Sequence, residues 1–475
     1  MLNNDNLGSS PTAARIGIVG GGLAGLAAAV ALVDAGQQVD VFESKSRLGG
    51  RATSFEDPRT NELIDNCQHV AMGCCTNFLD FCDRTSVRHL LRRDTKLHFF
   101  SSDGRRSDLS AVKCLPAPLH LGASFMRLSY LSFAERVRIC RGLNRLAQSR
   151  NLDTKAELTI GAWLRADGQS EHAIRCFWEV VLVSALAESL ERASFVAARK
   201  VFVDGFLRAN TACHVYVPIV PLRQLYDKVA AHLSNCKASI HLRQSVGRLA
   251  VATDKVRLPL RDVAAREYDF VVVATDARRI SDILPFELSD LVDSANSITS
   301  SAITSLHLWF DRPIFDLPHA VLIDRLSQWI FAGPSPPVDA QDSSSHYYQV
   351  VISAAQDLRG RDRESVLDEV LTDLRATWSY AQQAKLLDWR MISEPHAVFS
   401  VSPQVERHRP PQRTSCPRIL LAGDWTRTGW PATMEGAVRS GYLAAEAILA
   451  QLGLDRPQVV PDLKPSWLAR WLRLT

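Results

Sequence analysis

Gly20-Gly21-Gly22-Leu23-Ala24-Gly25 is a G-x-G-x-x-G run, and glycines at that spacing serve one kind of chemistry. Gly20 allows a tight turn, Gly22 lets the backbone approach a pyrophosphate, and Gly25 lets a helix pack closely on the strand before it. The helix that begins at Leu23 and Ala24 offers phosphate oxygens its unpaired N–H groups and the positive end of its dipole. Glu43 comes 23 residues after Gly20, where an acid accepts hydrogen bonds from ribose hydroxyls. An enzyme for a 2′-phosphorylated dinucleotide would carry a basic residue there. Ser44 stands beside Glu43 as a further candidate ligand.

Ser46-Arg47-Leu48-Gly49-Gly50-Arg51 comes next. Adjacent glycines let backbone amides sit against a ligand, and arginines flank them. A nicotinamide dehydrogenase has no need of this second phosphate-facing loop. Near the other end, Gly423-Asp424-Trp425 follows the strand-like run RILLA, and Ala432-Thr433-Met434-Glu435-Gly436-Ala437-Val438 opens a helix. On these motifs the chain resembles the flavin-containing amine oxidase and phytoene desaturase superfamily. The resemblance implies that the loop of Arg47, Gly49, Gly50 and Arg51 covers the FAD pyrophosphate and the flavin. It implies that Gly423 and Asp424 bind the ribityl and pyrophosphate region. Thr433, Met434 and Gly436 would face the flavin N1/O2 edge from a helix N-terminus. Thr275, at the end of YDFVVVAT, would close the nucleotide-binding sheet, and Val246 would contact adenine through its backbone. Covalent members attach flavin through a cysteine in the C-terminal motif; Thr426 to Glu435 contains none, so non-covalent FAD is expected.

Within the superfamily, Ile64-Asp65-Asn66-Cys67-Gln68-His69, Leu115-Pro116-Ala117-Pro118-Leu119-His120 and Gly423 to Glu435 are similar to segments of the squalene-associated, FAD-dependent desaturases of hopanoid biosynthesis. That group includes the hydroxysqualene dehydroxylases, which reduce hydroxysqualene to squalene with reduced FAD. Cys67 stands where the group has glycine, which puts the local backbone conformation in question, because cysteine tolerates positive φ poorly. Loss of an allylic hydroxyl as water leaves a delocalised cation for hydride to quench, and a general acid near the leaving oxygen helps. Asp65 and His69 are the nearest polar candidates for it, although each is also suited to a structural role. A carotenoid desaturase or isomerase and a flavin amine oxidase remain alternatives. So does a non-enzymatic, prenyl-binding escort protein, against which the flavin-facing segment argues. The electron donor is left open.

The elements that must hold these motifs follow from periodicity. Residues 15–19 and 38–42 read as buried parallel strands around a helix over 23–35, a βαβ unit. Residues 116–150 and 156–200 carry helical periodicity, as do 222–234, 361–385 and the stretch from 432 to about 450. Strands are expected at 240–242, 268–275, 301–311, 319–323, 328–331, 346–354 and 418–425, with a Pro/Arg-rich connection at 401–418 and a surface loop at 333–345. The fold class is therefore α/β: an FAD-binding, Rossmann-like (GR2-type) domain with an interleaved α+β substrate domain. The FAD domain is expected from 13–64, 212–288 and 415–455, and the substrate domain from 65–211 and 289–414. The apolar composition of 116–205 suits a long-chain isoprenoid and equally suits an ordinary helical core.

The chain has 475 residues, 55 Lys+Arg against 51 Asp+Glu and a formal charge of +4, which supplies no basic field for nucleic acid. Its 46% hydrophobic and 22% charged residues are ordinary globular usage and exclude disorder as the main state. The ten cysteines form no framework of regular spacing and read as reduced thiols of a cytoplasmic protein. The cluster Cys67, His69, Cys74, Cys75 and Cys82 matches no zinc spacing, so no metal is expected; Cys74, Cys75 and Cys82 would share a buried helical face. Residues 16–33 are uncharged, but five glycines in their first half oppose a membrane span. The polar first dozen residues read as frayed. In the tail 456–475, Trp467, Leu468, Trp471 and Leu472 form one stripe of a short helix, with Arg470 and Arg473 on another face. The stripe serves either to pack back onto the protein or to rest on the inner face of the cytoplasmic membrane.

Overall fold

The computed structural model describes residues 13–59, 61–149, 152–333 and 345–474; the first dozen residues and most of the 333–345 loop lie outside these. Strands Arg15–Val19, Gln38–Phe42, Ser239–His241, Phe270–Val273 and Ile419–Leu421 form one sheet. Its pairings are parallel throughout, in the spatial order 239–241, 38–42, 15–19, 270–273, 419–421. These strands are short and mostly buried, as parallel strands covered on both faces are. Helix Leu23–Asp34 is buried along nearly its whole length because helix Met434–Gln451 crosses it. The crossing depends on Gly441, where an added Cβ would lie 2.2 Å from the Ala24 carbonyl oxygen.

A second sheet has seven strands, in the order 386–399, 300–310, 346–353, 329–332, 319–322, 96–100, 106–110. All its pairings are antiparallel except that of 319–322 with 96–100. One face, with Leu306, Leu308, Tyr348 and Val350, packs on helix Arg363–Thr377. The other, with Phe99, Val321 and Phe331, joins a core that contains the helices between 160 and 207 and reaches Val19 and Val273 of the parallel sheet. Site-bearing loops are thus clamped between two sheets and a helical layer.

The helical stretches hold in outline. Residues 116–150 break into a 3-10 turn, helix Gly122–Phe125 and helix Phe133–Ala147, because Pro116 and Pro118 cannot donate to a helix. Ile174–Glu179 in the second stretch and Val203–Leu207 just beyond it are π-helical. The Pro/Arg-rich connection contains helix Pro403–His408, capped by Ser402. Strand Leu386–Phe399 is a further addition to the expected set. Cys74 and Cys75 precede helix Thr76–Arg84 and Cys82 lies within it; all three are buried in the core. The ten cysteines are all free thiols.

Helix Trp467–Trp471 is capped by Ser466 and anchored by Ala469 and Leu474, which pack against Ala147 and Val203. Trp467 and Trp471 do not fold back: they remain 64% and 75% exposed. Among the described residues, no helix is long and apolar enough to cross a membrane.

Candidate active site

Strand Arg15–Val19 ends in Gly20, whose φ of +117° and 2.5 Å gap between a notional Cβ and the Ala274 carbonyl oxygen admit only glycine. Gly22 is the N-cap of helix Leu23–Asp34 and has no side chain to cover the helix amides. The second glycine loop is fastened to the first: Gly49 donates its N–H to the Gly21 carbonyl at 2.9 Å. An added Cβ on Gly50 would come within 3.2 Å of the Gly22 Cα. Two amide-rich turns therefore form one cradle, with Leu23 and Ala24 buried in the first helical turn.

Glu43 closes the cradle from the side. One carboxylate oxygen accepts the Gly21 N–H at 2.8 Å; the other accepts the Lys45 N–H at 2.8 Å and the Ser44 hydroxyl at 3.3 Å. Segment 243–246 runs beside it, since the N–H groups of Arg243 and Gln244 bind the carbonyls of Lys45 and Glu43. Val246 follows in the same segment, two residues after Gln244, and is bridged to Leu260.

Arg51 spans the gap to the C-terminal motif, pairing with Asp424 and donating to the Ala397 carbonyl at 3.2 Å. Burial disfavours its charge, but Asp424, Asp276 and Glu394 more than offset that and raise its pKa. Gly423, with φ +144°, donates its N–H to Ser440 Oγ at 2.8 Å, which fastens the motif to helix Met434–Gln451. Trp425 Nε1 donates to the Thr275 carbonyl at 2.9 Å, which ties the motif to the strand it follows in space. Thr433 caps helix Met434–Gln451 by accepting the Gly436 N–H at 3.1 Å.

Two polar atoms at this cradle are buried without a partner: Arg47 Nε and Thr275 Oγ1. A buried donor left unpaired costs about 1–3 kcal/mol, and both belong to residues expected to meet a cofactor. Glycine turns, arginines, a helix N-terminus and these orphaned atoms fit a flavin dinucleotide.

Other residues were not legible in the sequence. Arg409, 2% exposed, donates to the carbonyls of Asp424, Thr426 and Trp430 and to Thr428 Oγ1, and pairs with Glu406. It holds the 424–430 loop in shape; an arginine before two prolines in a connecting stretch gives no signal of that. Asn66 locks the glycine–arginine loop, its Nδ2 donating to the Arg51 carbonyl at 2.6 Å and its Oδ1 accepting the Thr53 N–H at 3.2 Å. Ser305 of the large sheet donates to the Asn66 carbonyl at 2.9 Å, so the sheet abuts this loop. Cys67 is absent from the described residues with positive φ; its place in the loop requires no glycine, and burial pushes its thiol pKa up to about 12.

Asp65 and His69, the two candidate proton donors, sit in different hydrogen-bond settings. Asp65 Oδ1 accepts the Ser54 hydroxyl at 2.6 Å and the Leu222 N–H at 3.0 Å, joining a hairpin to the start of helix Leu222–Asn235. Burial raises its pKa to about 6 against these bonds. His69 Nδ1 lies 2.8 Å from the Cys67 carbonyl, which can only accept, so Nδ1 carries the proton. Burial lowers the His69 pKa to about 4. With Nδ1–H engaged and the ring neutral near pH 7, Nε2 presents a lone pair that can accept a hydrogen bond.

The sequence profile of the flavin containing amine oxidoreductase family matches residues 23–449. Hydroxysqualene dehydroxylases from Zymomonas mobilis and Sinorhizobium fredii are 24% and 27% identical, over 91% and 92% of this chain and 98% and 99% of theirs. A 15-cis-phytoene desaturase from an Oncidium hybrid cultivar is 24% identical over 91% of this chain and 77% of its own. Among solved structures, cyclohexylamine oxidase from Brevibacterium oxydans superposes with a TM-score of 0.68 at 16% identity, covering 93% of this chain and 100% of that one. That likeness establishes the fold.

Proposed function

Since the chain belongs to the flavin containing amine oxidoreductase family and is a flavin oxidoreductase, we propose that it binds FAD without a covalent link and reduces a long apolar isoprenoid, removing the hydroxyl of hydroxysqualene to give squalene. Arg47 and Thr275, each with a buried polar atom lacking a partner beside the glycine cradle, carry the cofactor reading. Gly20, Gly22, Gly49, Gly50 and Arg51 would surround the pyrophosphate, Glu43 and Ser44 the ribose side, Asp424 the ribityl and pyrophosphate region, and the Thr433–Gly436 turn the isoalloxazine side. Bound reduced flavin supplies a hydride equivalent. The chain's own residues position, exclude water and handle one proton.

The substrate class rests on likeness to the two hydroxysqualene dehydroxylases and on an apolar interior rich in phenylalanine and tryptophan between the helical layer and the large sheet. Of the two polar candidates, Asp65 is the one whose burial lets it hold a proton near pH 6. We assign it the proton for the leaving hydroxyl and assign His69 an accepting, orienting role. The proposed division into an FAD domain (13–64, 212–288, 415–455) and a substrate domain (65–211, 289–414) puts every strand of the parallel sheet in the first.

A phytoene-type desaturation is the second reading, favoured by the similarity to the Oncidium enzyme. One experiment separates them. The purified protein is photoreduced anaerobically, given hydroxysqualene, and extracted for product. Squalene formed in proportion to flavin oxidised supports the proposal. Unchanged hydroxysqualene, with desaturation of phytoene by the oxidised protein, overturns it.

A further inference from the structure

Two separate stretches of the chain meet at one surface. Ser466, the cap of helix Trp467–Trp471, donates its hydroxyl to the Ala117 carbonyl at 2.5 Å and its N–H to the Arg208 carbonyl at 2.9 Å. Asn210 donates to the Leu115 carbonyl at 2.6 Å. The exposed Trp467 and Trp471 are thereby joined to Leu115 and Leu119, themselves 36% and 52% exposed. This helix is not loosely attached: Gln148 binds the Leu472 carbonyl at 3.1 Å, and Ala469 and Leu474 are buried.

Charge on the same stretches has one sign. Lys113, Arg127, Lys464, Arg470 and Arg473 are all exposed, and none has an ion-pair partner among the described residues. No aspartate or glutamate occurs from 109 to 134 or from 463 to 475. Exposed tryptophan with unpaired arginine is the composition of a bilayer interface: rings sit at headgroup depth while guanidinium groups meet anionic lipid.

Behind this surface an aromatic row runs inward. Phe125 lies edge-on to Phe177 at 5.5 Å, Phe177 stacks on Phe202 at 5.9 Å, and Phe202 meets Phe206 at 6.1 Å. Phe177 and Phe206 lie on the two π-helical segments, a geometry that recurs at functional sites. Gly205, beside Phe206, opens toward Met72, whose Cε would be 3.3 Å from an added Cβ; Met72 follows His69 by three residues.

We propose that helix Trp467–Trp471 and segment 112–127 form a docking face for an anionic lipid bilayer, and that the phenylalanine row behind it admits substrate directly from the membrane. The docking half stands on the surface alone. The entry half rests on the isoprenoid reading above.

The test uses full-length holoprotein and flotation with vesicles of phosphatidylcholine alone or equimolar with phosphatidylglycerol. Binding is expected to the anionic vesicles, falling as salt rises. Trp467→Ala/Trp471→Ala should weaken it roughly tenfold or more. Arg470→Gln/Arg473→Gln should weaken it about fivefold for each charge removed and blunt the salt dependence. These side chains are exposed, so thermal melts matching the parent will show that folding is intact. Parent and tryptophan variant binding anionic vesicles equally would overturn the docking face. So would a protein that ignores vesicles but forms a dimer which the tryptophan variant dissolves, the face then being a contact between copies. For entry, the tryptophan variant should raise KM for vesicle-borne hydroxysqualene while detergent-dispersed turnover stays at the parent level. Equal loss in both forms overturns the portal. No turnover by the parent in either form overturns the substrate reading and leaves the vesicle result standing.

Discussion

Glu43 holds the glycine turn to the segment after it and, under the proposed function, would also meet the ribose. Its oxygens accept the Gly21 and Lys45 amides, so Glu43→Ala should cost both stability and flavin. Charge-assisted bonds are worth about 1.5–3 kcal/mol each, and FAD affinity should fall by roughly one to two orders of magnitude. Fluorescence titration of the apoprotein with FAD reads this, beside a lowered Tm. Arg409 acts at one remove. Arg409→Met leaves the carbonyls of Asp424, Thr426 and Trp430 without their donor, and a buried acceptor left unpaired costs about 1–3 kcal/mol. A folded Arg409→Met protein that keeps its flavin as tightly as the parent would show that the 424–430 loop holds itself. Asp65 offers a cleaner signature. If it donates the proton, turnover should fall as pH rises through about 6, because only the protonated acid can give one up. Asp65→Asn keeps a carbonyl oxygen for Ser54 and Leu222 but cannot titrate; its residual turnover should lose that pH step, as measured by stopped-flow oxidation of the reduced protein.

At the scale of elements, the cofactor-facing parts were legible because local composition and tertiary role agree. The glycine turn, both flanking strands and the helix from 434 are written in short apolar runs bounded by glycine or a cap. Strand Leu386–Phe399 was not legible because it is the outer strand of its sheet. The loop carrying Asp57 and Arg59 covers part of it, pairing with Arg390 and Asp388, and Pro395 falls where the register slips between Ser301 and Ile303; covering and proline are both devices by which edge strands avoid further pairing. The π-helical turns were hidden because apolar side chains at helical spacing look alike whether or not a residue bulges from the ladder. Close packing of elements gives its own prediction. The helix crossing at Gly441 has no room for a methyl group, with the Ala24 carbonyl oxygen 2.2 Å and the Ala28 nitrogen 2.8 Å from the added atom. Gly441→Ala must push helix Met434–Gln451 away from helix Leu23–Asp34, and overpacking of that kind costs about 1–3 kcal/mol. Its flavin should also bind more weakly, because the displaced helix carries the Thr433 cap; an unchanged Tm would mean the pair can part without strain.

Over the whole molecule, three histidines in different layers share one electrostatic condition. His69 lies beside the cradle, His120 beneath the 112–127 surface and His307 on the large sheet, and burial lowers each pKa from 6.5 to about 4. A group whose folded pKa is depressed contributes stability that is complete above its unfolded value and is lost as pH falls toward the folded one. The three contributions should therefore drain together between pH 6.5 and about 4, each pKa unit being worth about 1.4 kcal/mol. Asp65 works the other way. Its folded pKa is raised to about 6, so its contribution is present at low pH and lost as pH rises through that value; one acid offsets part of what three histidines lose. Glu135, held near pKa 2 against burial by hydrogen bonds, and Asp108, held there by hydrogen bonds and charge, weaken only at still lower pH. The expected result is a Tm that falls steadily on acidification from pH 7 to 4.5, well before those acids titrate. His120→Phe preserves a buried ring and removes the titration at a position that is 0% exposed. Its Tm should fall less steeply on acidification than the parent's. A slope identical to the parent's would show that His120 is charged in the folded protein or that the acid transition is governed elsewhere in the molecule.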